Sequence, residues 1–269
     1  MIAALIGNTL REAMNRLGGI SLLGISAAFA LNFVYLGRFV YQEGKTIAYP
    51  PFGANPWPAV DYVNNALRLL LDLAHTGWLI LTIFVMAGLI VTPFERGYLE
   101  LLLGKPLSRA RLLAGRLLGV MTLTVCGMAV MFVPVLARYR WHVEFPVGNW
   151  VRALLVLLCS CLVYAVVMQL IAVFAPLTTV LMLSALCTWL ISQSLHEREK
   201  IQVLIPFAAV NRVIDWLYYI FPKFSGMTDI INALVPGRPV VSWMPLWSSA
   251  LFAVGCWALA AFVFSRKSY

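Results

Sequence analysis

Six long runs of apolar residues alternate with shorter polar segments along the chain of 269 residues. A helix needs about 20 apolar residues to cross the hydrocarbon core of a bilayer, and each run approaches or exceeds that length. Proline cannot continue a helix, so Ala175 and Pro176 separate the fourth run from the fifth. The pattern predicts an all-α polytopic membrane protein, a single domain over residues 1–269, with spans at 19–40, 73–92, 118–137, 151–174, 177–194 and 246–264.

The first 18 residues have the periodicity of an amphipathic helix. Leu5, Leu10 and Leu17 belong to its apolar side, whereas Arg11 and Arg16 belong to its polar side. This arrangement is typical of a helix that lies in the membrane interface. The charges also argue against a cleavable leader, so we expect residues 1–18 to form an interfacial helix.

Two longer polar segments lie on the side of the predicted bundle opposite the termini. In the first, YPPFGANPWP (49–58) excludes a regular helix, and Asp61 to Asp72 predicts a short amphipathic helix that leads into the second span. In the second, residues 196–245, the amphipathic stretch 211–221 predicts one or two short helices on the outer membrane face. This periplasmic cap can also close over a path through the spans, or receive a periplasmic partner, and the sequence does not separate these alternatives.

The composition agrees with a membrane protein and excludes several other classes. Apolar residues make up 62% of the chain and charged residues 12%, whereas soluble domains carry about 25% charged residues. A soluble enzyme, a nucleic-acid-binding domain and a disordered region are therefore excluded. The net charge of +9 comes from basic residues between the apolar runs, where anionic lipid is the expected partner. The five cysteines lie inside apolar runs without a CxxC spacing, which favours buried small side chains over metal ligands.

The distribution of basic residues gives the expected orientation. Six spans put both termini on one side of the membrane. Long loops translocate largely regardless of their charge, so the basic residues of 196–245 are discounted. Of the remaining Lys and Arg residues, nine lie on the side of the termini and six on the opposite side. We therefore expect both termini to be cytoplasmic in a bacterial inner membrane.

The charged segment ERGYLELLLGKPLSRARLLAGRLLG follows the second span directly. Glu95 and Glu100 lie toward the start of a predicted short helix, where the helix dipole favours acidic residues. Gly104 and Pro106 end that helix. Ser108 is then placed to cap a second helix, which runs on into the third span.

This segment resembles the signature of ABC-2 type permeases, the membrane subunits of one class of ATP-binding-cassette transporters. Tyr98 and Lys105 depart from the family pattern, and neither departure changes the charged positions that match it. The matching residues are Glu95, Gly97, Glu100, Leu101 to Leu103, Pro106, Leu107, Ser108, Arg109 and Arg116.

A second segment, YYIFPKFSGMTDI (218–230), is similar to one that precedes the last span in single-domain members of that family. The permease that accompanies maturation of the copper site of nitrous oxide reductase is one such member. Lys223 replaces the usual asparagine, so the resemblance does not predict the same substrate for this chain.

The resemblance implies that residues 94–107 form a coupling helix that docks on a separate ATPase subunit. Two permease copies, expected to be a homodimer, would then be driven between inward- and outward-facing states. ATP and magnesium would bind to the ATPase, and no cofactor is expected in this chain. The implied ATPase-coupling residues are Glu95, Arg96, Gly97, Glu100, Pro106, Ser108 and Arg109.

No catalytic site is predicted in this chain. Lys105 follows Gly104 as in a P-loop, but Pro106 replaces the Ser or Thr that would hold the metal. An intramembrane enzyme is the first alternative, and the spans contain no catalytic motif for it. The second alternative is a non-transporting mechanotransmission subunit that drives a periplasmic partner, whose coupling helix would look the same.

Several polar residues allow both a structural and a functional interpretation. Asp72 and His75 can form a proton relay, although a hydrated pair at the outer rim is favoured. Asn32, Gln169 and Gln193 can line a substrate path or can hydrogen-bond between helices. The spacing of Gly115 and Gly119 allows close packing of helices, which is a weak signal in so apolar a chain.

Overall fold

Six helices dominate the structure, a computed structural model that describes residues 2–35, 38–42, 45–50, 55–94, 108–144, 146–204 and 207–266. Each of the six is long and apolar enough to cross a membrane. The all-α polytopic fold predicted from the apolar runs is therefore confirmed. These helices cover Leu17–Tyr35, Ala59–Phe94, Arg109–His142, Val147–Phe174, Thr178–His196 and Met244–Arg266.

The described elements are numbered here in chain order. The second membrane-crossing helix consists of α3 and α4, joined by a π-helical turn at Ala74–Trp78 and ending in a 3₁₀ turn at Thr92–Phe94. The α-helices are α1 (Ile2–Asn15), α2 (Leu17–Tyr35), α3 (Ala59–Leu73), α4 (Leu79–Val91), α5 (Arg109–His142), α6 (Val147–Phe174), α7 (Thr178–His196), α8 (Arg198–Leu204), α9 (Ala208–Ile220), α10 (Phe224–Leu234) and α11 (Met244–Arg266).

The first span is shorter than predicted. Its helix ends at Tyr35, and Arg38–Gln42 forms strand β1, which pairs with β2 (Lys45–Tyr49) in antiparallel register. A short strand β3 (Trp57–Pro58) completes a sheet of order β1-β2-β3. Phe39 anchors the sheet on the bundle, because its ring stacks on His142 at 4.5 Å between centroids. The prediction that the first span reaches residue 40 is therefore wrong.

The amphipathic stretch before the second span is helix α3, continuous with that span. In the π-helical turn, Trp78 donates a hydrogen bond to Ser26 of α2 at 2.9 Å. His75 is buried there, and its Nε2 lies 3.0 Å from the hydroxyl of Thr228 in α10. Asp72 is exposed. The interpretation of His75 and Asp72 as a hydrated pair at the rim is wrong for His75, because the π turn directs its ring into the protein.

The segment 196–245 also differs from its prediction. Its described residues form three helices, α8, α9 and α10, rather than one or two. Helix α10 lies within the bundle, where the ring of Phe224 stacks on Tyr164 of α6 at 4.1 Å. Its apolar residues recur every three or four positions and are buried, so this helix does not rest on the outer face. The buried apolar residues of α10 are Phe224, Met227, Ile230, Ile231 and Leu234.

Helix α1 packs against the start of α5, where two glycines allow a close approach. A Cβ atom at Gly115 would lie 2.6 Å from Leu5 Cδ1, and one at Gly119 would lie 2.6 Å from Thr9 Cβ. The close packing that the spacing of these glycines allows is therefore present, with α1 as the partner. Leu17 of the predicted apolar side remains exposed.

We expect Gly119→Ala to lower the thermal unfolding temperature of the detergent-solubilised chain. The added methyl group would overlap Thr9, and overpacking of this kind costs about 1–3 kcal/mol of unfolding free energy. Gly88→Ala is the matched control, because a Cβ there meets no atom within 4 Å and alanine is the better helix former. Equal unfolding temperatures for the two variants would contradict the packing of α1 on α5.

Candidate functional site

Most of the predicted coupling segment lies outside the described residues. Phe94 borders it on one side and Ser108 on the other, and Arg109 is the first residue of α5. The predicted coupling residues that lie outside the described part are Glu95, Arg96, Gly97, Glu100 and Pro106.

Both borders of this segment are fixed to the same place, the end of the last helix α11. The ring of Phe94 meets the ring of Phe264 edge-on at 5.4 Å between centroids. Arg109 donates a hydrogen bond from Nη1 to the carbonyl oxygen of Phe264 at 2.9 Å. Phe264 is fully buried. The segment between Phe94 and Ser108 thus begins and ends on α11.

Ser108 occupies the N-cap position predicted for it, but not with the expected hydrogen bond. Its backbone is extended, and its carbonyl oxygen accepts a bond from the N–H of Leu112 at 3.2 Å. The hydroxyl group makes no capping bond to the described backbone. The helix start is therefore held by Arg109 on α11 and by packing rather than by the side chain of Ser108.

Arg116, two turns further along α5, is the most extensively bonded buried cation among the described residues. Only 6% of the residue is exposed. Its Nη2 pairs with Glu12 Oε2 at 2.7 Å, and its Nη1 donates to Thr9 Oγ1 at 3.3 Å. Its Nε donates to the carbonyl oxygen of Leu89 at 2.7 Å. One guanidinium group therefore joins α1, α4 and α5.

The carbonyl group of Leu89 is available because of Pro93. In an α-helix the carbonyl of residue i accepts from the N–H of residue i+4, and for Leu89 that residue is Pro93, which has no N–H. A buried carbonyl without a donor is costly. Arg116 supplies the missing donor, so the proline at the end of α4 and the arginine in α5 are complementary.

Arg116 belongs to the family pattern, but the sequence does not indicate its partners. Glu12 lies beside Arg11 on the polar side of the first helix, and no pattern indicates which residue it contacts. The one available signal is Pro93 near the end of an apolar run, because it leaves the Leu89 carbonyl without its helical donor. This signal does not show which side chain donates a hydrogen bond to that carbonyl.

The polar residues inside the spans bond to protein rather than forming a common path. Gln169 of α6 donates from Nε2 to the carbonyl of Leu113 in α5 at 2.8 Å. Gln193 accepts a hydrogen bond from Ser225 at 2.8 Å. Asn32 donates to the carbonyl of Ala28 in its own helix. The described residues contain no group of His, Cys, Asp and Glu side chains able to hold a metal ion.

These features define the class of protein. Six membrane-crossing helices, a packed N-terminal helix and contacts of Phe94 and Arg109 with the last helix describe a polytopic helical membrane protein. The sequence profile of the ABC-2 family transporter proteins matches residues 2–262. The chain belongs to this family, and it is a permease subunit of an ABC transporter. No curated protein matched the chain.

We expect Arg116→Gln to lower the free energy of unfolding by about 3 kcal/mol, because the Leu89 carbonyl loses its donor and Glu12 keeps only the more exposed Arg16, at 3.4 Å. Chemical or thermal unfolding in detergent measures the effect. Arg111→Gln is the matched control, since Arg111 is an exposed arginine in the same helix and its loss is expected to change stability by less than about 0.5 kcal/mol.

The double variant Glu12→Gln/Arg116→Gln tests the pairing itself. We expect it to be more stable than the sum of the two single effects predicts, because neither charge is then left alone. An Arg116→Gln variant as stable as Arg111→Gln would contradict the assigned role of Arg116.

Proposed function

We propose that residues 94–107 receive the movement of a separate ATPase subunit and pass it to the spans. The observation that supports this most directly is the joint attachment of both borders, Phe94 and Arg109, to Phe264. A displacement of the segment would reach the end of α4, the start of α5 and the end of α11 together. Through its contacts with Glu12 and Thr9, Arg116 would pass this displacement on to α1.

The segment itself has the chemistry of a docking helix. Glu95, Arg96 and Glu100 give it charges of both signs in a region bordered by apolar spans. The ATP and magnesium would be bound by the ATPase subunit, because this chain has no complete P-loop. Charged contacts of this type provide specificity between subunits more than affinity.

A second copy of the chain is part of the proposal. In the apolar stretch of the last membrane-crossing helix only 17% of the residues are buried, against 67% for the helix at 59–94. Such a free face can contact lipid or another permease subunit. We propose a homodimer in which two chains and two ATPase subunits alternate between inward- and outward-facing states, exporting or translocating an unidentified substrate.

A mechanical role without transport is the second candidate. Helices α8 to α10 form a folded structure at the end of the bundle opposite the coupling segment. Helix α10 is tied to the bundle by the hydrogen bond from the Phe224 N–H to Ser192. A movement of the spans would therefore displace this structure, which can act on a periplasmic partner.

We expect the double variant Glu95→Lys/Glu100→Lys to lose co-purification with the ATPase, or to lose stimulation of its ATP hydrolysis, because charge reversal would oppose docking. Co-expressed ATPase candidates are purified with the permease, and ATP hydrolysis is measured. Glu144→Lys/Glu199→Lys is the control, with two exposed glutamates reversed at the other end of the bundle. Full assembly and stimulation by the Glu95/Glu100 variant would disprove the coupling assignment.

The proposed orientation places both termini in the cytoplasm of a bacterial inner membrane and residues 196–245 in the periplasm. We expect a fluorescent protein fused to the C-terminus to fluoresce in cells. We also expect alkaline phosphatase fused after Gly237 to be active. An inactive phosphatase at that position together with an active one at the C-terminus would reverse the orientation.

A further inference from the structure

Lys223, which precedes α10, is a buried lysine without an acidic partner among the described residues. Only 5% of the residue is exposed. Its Nζ donates to the hydroxyl of Ser248 at 3.0 Å and lies 4.7 Å from the centre of the Tyr218 ring. A hydroxyl group and a ring face do not neutralise a buried ammonium group. The described surroundings of Lys223 therefore lack an anion.

A second cation, Arg198, lies against the same tyrosine ring. Its guanidinium carbon is 3.7 Å from the centre of the Tyr218 ring. Asp215 approaches it only at 3.9 Å, and Asp215 also accepts a hydrogen bond from Gln202. The Nη1 atom of Arg198 is buried and has no acceptor within the described part of the chain. Burial and Arg198 together lower the pKa of Lys223, as expected where two cations share a site.

Two further charge pairs lie near these cations. His196 lies 3.7 Å from Asp229, and Lys200 pairs with Glu197. Among the described residues, Asp215 is the carboxylate that approaches Arg198 within 4.0 Å, and no carboxylate approaches Lys223 that closely. Two cations and one distant carboxylate leave this place with excess positive charge.

A small cavity adjoins Lys223 and Tyr218, whose ring Arg198 contacts. It has a volume of about 10 Å³ and is lined by Ser192, His196, Tyr218, Lys223 and Ser225. This is room for about one water-sized atom or group, such as one oxygen of a phosphate. The cavity lies at the start of α10, where the helix dipole also favours negative charge.

An apolar groove lies beside the cavity, between α9 and α11. Its volume is about 420 Å³, and its walls include Ile220, Leu251, Phe252 and Leu259. Ser248 lines this groove and also accepts the hydrogen bond from Lys223. Lys223, which lines the cavity, therefore contacts Ser248, which lines the groove.

The position of these features matches the boundary of a membrane. Ser192 belongs to the last turns of α7 and Ser248 to the first turns of α11, so the cavity lies where two spans end. Helix α9 exposes the apolar side chains of Val213 and Trp216, as a helix lying on a bilayer does. Basic pockets between membrane-crossing helices are known to bind anionic lipid head groups on the cytoplasmic side of membranes, and the same charge attraction applies at this end of the bundle.

We propose that this region binds an anionic phospholipid. One phosphate oxygen lies in the cavity beside Lys223, where Arg198 on the same tyrosine ring adds positive charge, and an acyl chain lies in the groove between α9 and α11. The charge complementarity selects an anionic head group, and the apolar groove selects a lipid over a free anion. This site is separate from the coupling segment, so the proposal does not depend on the ATPase.

Native mass spectrometry of the full chain in detergent tests the head-group part. Phosphatidylglycerol and phosphatidylcholine with identical acyl chains are titrated separately, and the fraction with one bound lipid is measured. We expect phosphatidylglycerol to bind about tenfold more tightly, the range of one charged hydrogen bond. Lys223→Gln and Arg198→Gln are expected to remove this preference. Lys200→Gln, which removes an exposed lysine of the same region, is expected to keep it.

The groove is tested by Gly255→Leu, because Gly255 lines it and a Cβ there meets no atom within 4 Å. We expect this variant to bind both lipids several-fold more weakly. Gly24→Leu, a glycine equally open in α2, is the matched control and is expected to bind like the unmodified chain.

Four results would overturn the proposal. Equal losses for Lys200→Gln and Lys223→Gln would indicate general surface charge. Displacement of phosphatidylglycerol by excess inorganic phosphate, with no effect of Gly255→Leu, would indicate a free-anion site. A lower dimer fraction for Gly255→Leu with unchanged lipid binding would assign the groove to a second copy. If Lys223→Gln does not fold, the head-group preference is tested with Arg198→Gln alone. An unchanged preference for phosphatidylglycerol in that variant would overturn the proposal.

Discussion

The hydrogen bond from Arg116 to the carbonyl oxygen of Leu89 is the constraint on which the end of the bundle near the coupling segment depends. Pro93 leaves that carbonyl without its helical donor, and an apolar environment makes the omission costly. Arg116 corrects it but brings a buried charge, which Glu12 of α1 neutralises. The proline, the arginine and the N-terminal helix are therefore three parts of one arrangement, and the glycines that let α1 approach belong to it.

Long apolar runs in the sequence predict the fold better than short ones. Runs of about 20 apolar residues specify spans because a bilayer permits few other structures. The strand Arg38–Gln42 continues such a run, and short apolar segments do not distinguish a strand from a helix end. Residues 224–234 are too few to cross a bilayer, so the sequence places them outside the spans, although their apolar spacing indicates one buried face.

The start of the helix that follows the candidate segment was predictable from the sequence, but its contacts were not. The density of charges between Glu95 and Arg116 marked the segment, and Ser108 and Arg109 do lie where a helix begins. Arg109 and Phe264 lie 155 positions apart in the chain, and Phe94 lies further still from Phe264. No periodic pattern encodes such a contact, because it depends on how the last span packs. The same holds for Gln169 and Leu113, which join α6 to α5 through a single amide.

Helix α11 connects the two ends of the molecule that carry functional proposals. Phe264, near its end, holds both borders of the coupling segment, and Ser248 and Ser249, near its start, accept hydrogen bonds from Lys223. It is also the span with the smallest share of buried residues, although one side of it packs closely along α6. A rigid helix transmits a displacement along its axis, since its backbone bonds are all internal. A movement imposed at Phe264 would therefore shift the hydroxyl groups beside Lys223, and the lipid proposed there would bind differently in the two states of the transporter.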